Sequence, residues 1–237
     1  MRKLSFLGFV ALILSACATP PPMADYSQFR EADPHSILVL PAFNQTVAVE
    51  APEFFLSTVS RPFAERGYYT FPAHMVKRIL EEEGLSDTNL IYEADTRSLG
   101  RLFGCDSALY ITIEKWESKY MVLSTTTTVE FAYELRSCKT GDALWQNRQA
   151  MSYTPDSDST GNVFADLIVM AVTAAIEKAA PNYIPLAQQA NSFASLVPGK
   201  GIPAGPYLDE KYKTDLENFP VAVPAVVSEP VAVEPAE

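Results

Sequence analysis

The strongest constraint on the fold is a period-two alternation that begins at Leu109. Leu109, Ile111 and Ile113 alternate with Tyr110, Thr112 and Glu114. Further on, Met121, Leu123, Val129, Phe131, Tyr133 and Leu135 share one parity, opposite Glu130, Glu134 and Arg136. Successive strand side chains point to opposite faces, so this pattern predicts two long strands with one apolar and one wet face. Thr140-Gly141-Asp142 then supplies a turn and "ALWQNRQAMSY" a third strand. The expected unit is a three-stranded antiparallel meander.

Elements on either side extend it. "SILVL" (Ser36 to Leu40) reads as a strand buried on both faces and stopped by Pro41. A helix is expected from about Glu53 to Arg66, with Gly67 as its stop and Pro62 kinking or splitting it. Tyr68 to Phe71 reads as a strand ended by Pro72, and "AHMVKRILEEEG" as a helix turning Met75, Ile79 and Leu80 inward. A short third helix follows, with Asp95 as N-cap and Gly104 as stop. Val163 to Ile176 is apolar nearly all round but, at 14 residues, short for a bilayer span. It is expected to cover the sheet, with a homodimer seam as the alternative. The order βαβααβββα points to an α/β fold in which helices on one side cover a mixed sheet of about five strands, in two or three layers.

The ends determine where such a domain would reside. Met1-Arg2-Lys3 and the apolar run to Ala16 have the layout of a secretory signal peptide. Leu14-Ser15-Ala16-Cys17 resembles the bacterial lipobox, in which the Cys17 thiol is acylated and the chain is cut before it. Ala16-Cys17-Ala18 also satisfies the A-x-A rule, so simple secretion after Ala18 stays open. Two or more acyl chains anchor a protein stably where one does not. Ala18 after the cysteine, by resemblance to lipoprotein sorting rules, implies the outer membrane, with the domain facing the periplasm. The expected division is a signal peptide at 1–16, anchor and extended tether at 17–35, one α/β domain at 36–207, and a disordered Pro/Val/Ala-rich tail at 208–237. Loss of the leader takes Arg2 and Lys3 with it, moving the formal charge from −11 to −13. That balance makes nucleic acid a poor partner.

Motifs for chemistry are absent. His35 and His74 have no i, i+4 histidine partner, and no G-x-S-x-G, C-x-x-C or phosphate-binding glycine loop occurs. Asp156-Ser157-Asp158 lacks the glycine and glutamate of an EF-type calcium loop. No catalytic residue, metal site or cofactor is expected, and the chain reads as a non-enzyme. Cys105 and Cys138 flank the long hairpin in a chain bound for an oxidising compartment. Their opposite parities keep them from facing each other in an unbroken hairpin, although a bulge would allow a disulfide. One buried and one surface thiol is the alternative.

"ADPHSILVLPAFNQTVAVEAPEFFLSTVSRPFAERGYYTFPAHMV", "LGRLFGCDSALYITIEKW", "KTGDALW" and the closing "GIPAGPY" together resemble a Gram-negative lipoprotein family, domain-of-unknown-function family 799, over about residues 25–207. Cys105 departs from the alanine expected in "FGADA". The family is similar in layout to the TolB N-terminal region and to the CsgG-type secretion lipoprotein. This resemblance implies an accessory component of an envelope export or assembly system, with a CsgG-like lipoprotein as partner, and assigns no catalytic residues. A small-ligand binder or envelope enzyme is the rival class. Within "SILVLPAFNQT", Asn44 to Val49 is either a plain loop or a partner-docking loop.

Overall fold

Strand β1 (Ser36–Val39) is buried along its whole length, so both of its faces must be covered. In the computed structural model, which describes residues 24–121, 124–154, 182–209 and 215–221, it lies inside a mixed sheet. Its neighbours are β2 (Phe43–Asn44), β3 (Tyr69–Thr70), β4 (Ser107–Met121), β5 (Ser124–Ser137) and β6 (Ala143–Tyr153). The order is β3-β1-β4-β5-β6, with β2 also paired to β4. β1 runs parallel to β3 and β4, and β2 runs parallel to β4. β4, β5 and β6 form the antiparallel meander that the alternation predicts.

Helices cover both faces, not one. Ile37, Val39, Leu109 and Ile111 belong to a core shared with α1 (Ser27–Ala32), α2 (Ala51–Glu65) and α6 (Ile184–Leu196). Leu38, Leu40, Ala108 and Tyr110 belong to a second core with α3 (Ala73–Glu82), α4 (Thr88–Glu93) and α5 (Thr96–Phe103). The expected wet face of β4 is therefore dry over its first turns of alternation, because three helices lie across it. Between Ile113 and Lys115 the register slips by one residue, which turns Trp116 back to the side that Ile113 faces.

Several helical expectations need correction. α2 is one unbroken helix through Pro62, whose ring is buried and whose carbonyl still accepts from the Arg66 amide at 3.1 Å. On α3 the inward stripe is Ala73, Val76 and Leu80, and Met75 points outward. α4 was not anticipated; Asp87 caps it by accepting from the Asn89 amide. α5 is capped as predicted: Asp95 accepts from the Arg97 amide, and Gly104 closes the helix at φ 70°. α6 was not anticipated either. The expected cover, Val163–Ile176, lies outside the described residues, and α6 packs on α2 and β6 through Leu186, Ala187, Ala190 and Ala194.

The folded unit also reaches past both expected boundaries. Residues 24–35 are no tether: Tyr26 and Phe29 are buried core residues on or beside α1. Beyond residue 207, α7 (Asp215–Asn218) and Phe219 dock on the same core. Gly205 meets Gly67 so closely that a Cβ would collide with the Gly67 carbonyl, and its amide donates to Arg66 O at 2.8 Å.

Candidate functional site

The segment joining β2 to α2 is short, polar in its scaffold and apolar at its tips. Asn44 Oδ1 accepts from Thr46 N at 3.0 Å and Thr46 Oγ1 at 2.8 Å, while its Nδ2 donates to Ala48 O at 2.8 Å. Thr46 Oγ1 accepts in turn from Ala48 N at 3.2 Å, and Gln45 N donates to Ile113 O at 3.0 Å. Side chains of this type fix a turn by satisfying its backbone locally. The held loop presents Val47 at 99% and Val49 at 87% exposure. Phe54, on the first turns of α2, is also exposed. The segment Asn44 to Val49 is thus a loop fixed by its own side chains, with apolar tips turned outward.

The loop also has a defined place in the molecule. The chain enters β1 opposite Ser107 and leaves β2 opposite Ile113, so the valines stand at the far end of β1 and β2 from the N-terminal approach.

A concave face of about 410 Å³ lies across the meander, lined by Tyr92, Tyr110, Glu134, Arg136, Gln146 and Arg148 among others. Its charges are already matched. Arg136 pairs with Glu134 at 2.7 Å and lies over the Tyr110 ring at 4.7 Å. Gln146 Nε2 donates to Glu134 Oε1 at 3.1 Å, and Arg148 pairs with Glu114 at 2.8 Å. Tyr92 is held by its own hydroxyl, which donates to Ile111 O and accepts from Ile111 N. Burial pushes the Tyr92 and Tyr110 hydroxyls above the ordinary phenol range, so neither is poised to give up a proton near neutrality. Among the described residues no three His, Cys, Asp or Glu side chains converge as metal ligands.

The remaining candidate residues are scattered. Cys105 and Cys138 are brought together in a disulfide with Cα atoms 6.0 Å apart, in the second core. Both lie just outside the strand ends, and Cys138 N donates to Asp106 O, so Cys138 faces the residue after Cys105. The parity argument applies only inside the ladder, and the bulge at Ile113/Lys115 plays no part in the bridge. Cys17, Asp156 and Asp158 lie outside the described residues. His35 sits 3.5 Å from Asp33 ahead of β1, and His74 is exposed at the start of α3.

Residues 24–207 match the family described as "Putative lipoprotein GNA1162-like". The chain belongs to this family. A relative from Neisseria meningitidis serogroup B, described as "Putative lipoprotein NMB1124/NMB1162", is 32% identical over 157 residues, covering 65% of this chain and 73% of the relative. The crystal structure of lipoprotein GNA1162 from Neisseria meningitidis superposes with a TM-score of 0.50 at 29% identity, over 63% of this chain and all of that one. A PelC dodecamer from Paraburkholderia phytofirmans is more remote, at 15% identity and a TM-score of 0.36, covering 68% of this chain and 91% of that one. The expected kinship with a lipoprotein family is thus shown at the level of family, which groups the chain with lipid-anchored envelope proteins. The valine loop, the concave face and both bridged cysteines fall inside the matched span; Cys17 and α7 fall outside it.

Proposed function

We propose that this GNA1162-like chain is acylated at Cys17, sits in the outer membrane facing the periplasm, and works as a non-catalytic docking component of an envelope export or assembly system. The observation that carries the reading is the valine loop: two fully presented aliphatic side chains on a backbone fixed by Asn44 and Thr46. A CsgG-like lipoprotein is the partner that the sequence resemblance suggests. Burying a valine side chain is worth about 1.5 kcal/mol, so two of them supply roughly a hundredfold in affinity. Val47→Asp with Val49→Asp should therefore reduce co-purification with the CsgG-like lipoprotein about a hundredfold, while leaving thermal unfolding unchanged because neither side chain packs in the core. Undiminished co-purification would overturn the reading.

The anchor has its own test. Cys17→Ser should leave the chain unlipidated and misprocessed, and move it from the membrane to the soluble fraction. A variant that still partitions like the wild type would place the anchor elsewhere.

The concave face supports a second reading, a small-ligand binder or an envelope enzyme, because Tyr, Glu and Arg side chains converge there. Its weakness is that Arg136, Glu134, Gln146 and Arg148 already satisfy one another or Glu114, so a polar ligand would have to break existing pairs.

A further inference from the structure

A cleft lies where the N-terminal helix meets the segment Gly201–Ala204. We propose that this cleft is a receptor for a short peptide turn carrying a carboxylate and, four residues later, an aromatic ring, and that the chain's own Asp215–Phe219 fills it in cis. The inference does not depend on the valine loop.

The Arg66 side of the receptor is held without its occupant. Tyr26 OH donates to Gly201 O at 2.8 Å, Tyr68 OH to Pro203 O at 2.8 Å, and Arg66 Nε to Ile202 O at 2.9 Å. These bonds join only cleft residues, and they aim the Arg66 guanidinium. Arg30 approaches from α1. Two guanidiniums mostly withdrawn from water require an anion between them, since removing one partner of a buried pair leaves an uncompensated charge. In a chain of net charge −11 this is a local concentration of positive charge facing inward.

The occupant matches that demand point for point. Asp215 has no exposed side-chain surface; its Oδ2 accepts from Arg30 at 2.9 Å, and its Oδ1 accepts from Arg66 at 2.9 Å and from the Ala204 amide at 2.8 Å. One helical turn later Phe219 sets its ring edge-on to Tyr26, centroids 5.2 Å apart, with the Arg66 guanidinium 5.1 Å above it. Arg30 also donates to Phe219 O at 2.9 Å. Between these anchors Leu216, Glu217 and Asn218 all face solvent. The recognised pattern is therefore Asp-x-x-x-Phe on one face of a turn, with Leu216 at the rim of the cleft.

The walls and the plug fall on either side of the end of the family-matched span. Tyr26, Arg30, Arg66, Tyr68 and Ala204 lie within the family-matched residues 24–207, whereas Asp215 and Phe219 lie beyond them. A segment of the same pattern from a partner protein would meet the same donors.

The probe is a fluorescein-labelled peptide of residues 211–221, KYKTDLENFPV, added to the full chain. A tethered segment acts at an effective concentration in the millimolar range, so the wild type should bind micromolar peptide negligibly. The full chain carrying D215N and F219A should bind it at least tenfold more tightly than the wild type by anisotropy, and a peptide with the Asp215→Asn change should lose that gain. Equal binding to both chains, or none to a double variant that keeps the wild-type circular dichroism, would overturn the proposal. Should the double variant not fold, the wild type decides the question. Several millimolar peptide should displace the chain's own segment and speed hydrogen exchange at its Phe219 amide, whose bond to Asp215 O is then lost, and unchanged protection there would overturn the proposal.

Discussion

Asn191→Leu should destabilise the domain by about 2–4 kcal/mol, because it removes the centre of a hydrogen-bonded chain in the larger core. Tyr133 OH donates to Asn191 Oδ1 at 2.8 Å, and Asn191 Nδ2 donates to Thr58 Oγ1 at 2.9 Å. Thr58 Oγ1 in turn donates to Phe55 O at 2.7 Å. All of this is buried, and burial alone pushes the Tyr133 hydroxyl well above the ordinary phenol range. Leucine has the same four-atom branched side-chain skeleton as asparagine, so the chief cost is polar: a buried phenol keeps its donor and loses its acceptor, at about 1–3 kcal/mol. Thr58 is less affected, since its bond to Phe55 survives. Adding Tyr133→Phe to Asn191→Leu should recover about 1 kcal/mol or more, because both partners of the broken bond are then apolar. Urea unfolding of the three chains measures this. A single variant within 0.5 kcal/mol of wild type would show that the chain of bonds does not link α2, β5 and α6 as the structure places it.

The same residue shows why α6 was invisible in the sequence. Its buried face reads Ala187, Ala190, Asn191 and Ala194, small or polar side chains that produce no apolar stripe. Their smallness is what lets α6 approach α2 closely, but that only becomes apparent once α2 is in place. The meander was legible because Val129, Phe131, Tyr133 and Leu135 repeat every second residue, and that periodicity is a local property. The second core was not, because Ala108 and Tyr110 suit a wet face as well as a dry one. Three helices decide the matter, and they come from earlier in the chain. On α3 Leu80 is buried as the sequence predicts, but Val76 takes the inward place expected of Met75, so the buried stripe is turned on the helix.

The two candidate sites differ in the same way. Asn44, Thr46 and the two valines are neighbours in sequence, so a polar loop with apolar tips is readable there, and the structure adds its rigidity and the outward aim of those tips. Arg30 and Asp215 are 185 positions apart and meet only in the tertiary structure. No local pattern joins them, and the family resemblance, closing at "GIPAGPY", ends at residue 207, short of Asp215.

Removing the bridge by Cys105→Ser with Cys138→Ser should lower stability by about 3–4 kcal/mol. The cross-link closes a loop spanning 33 positions of sequence, and chain-entropy arithmetic for a loop of that length gives this value. The position of the bridge also sets what the loss would affect. Both sulfurs lie in the smaller core, and α5 presses against Cys138 so closely that a Cβ on Gly100 would strike the Cys138 carbonyl. The bridge therefore ties the end of α5 to the end of β5 beside the first residue of β4. Alkylation and mass measurement with and without reductant should find these two thiols blocked until reduced, and two free thiols in the unreduced chain would remove the basis for the stability prediction. Because Val47 and Val49 stand at the Ile113 end of the parallel strands, the double serine variant should lower the unfolding midpoint without changing co-purification at temperatures where it stays folded. A loss of partner binding in that folded variant would mean that the docking surface extends to α5, not that the loop acts alone.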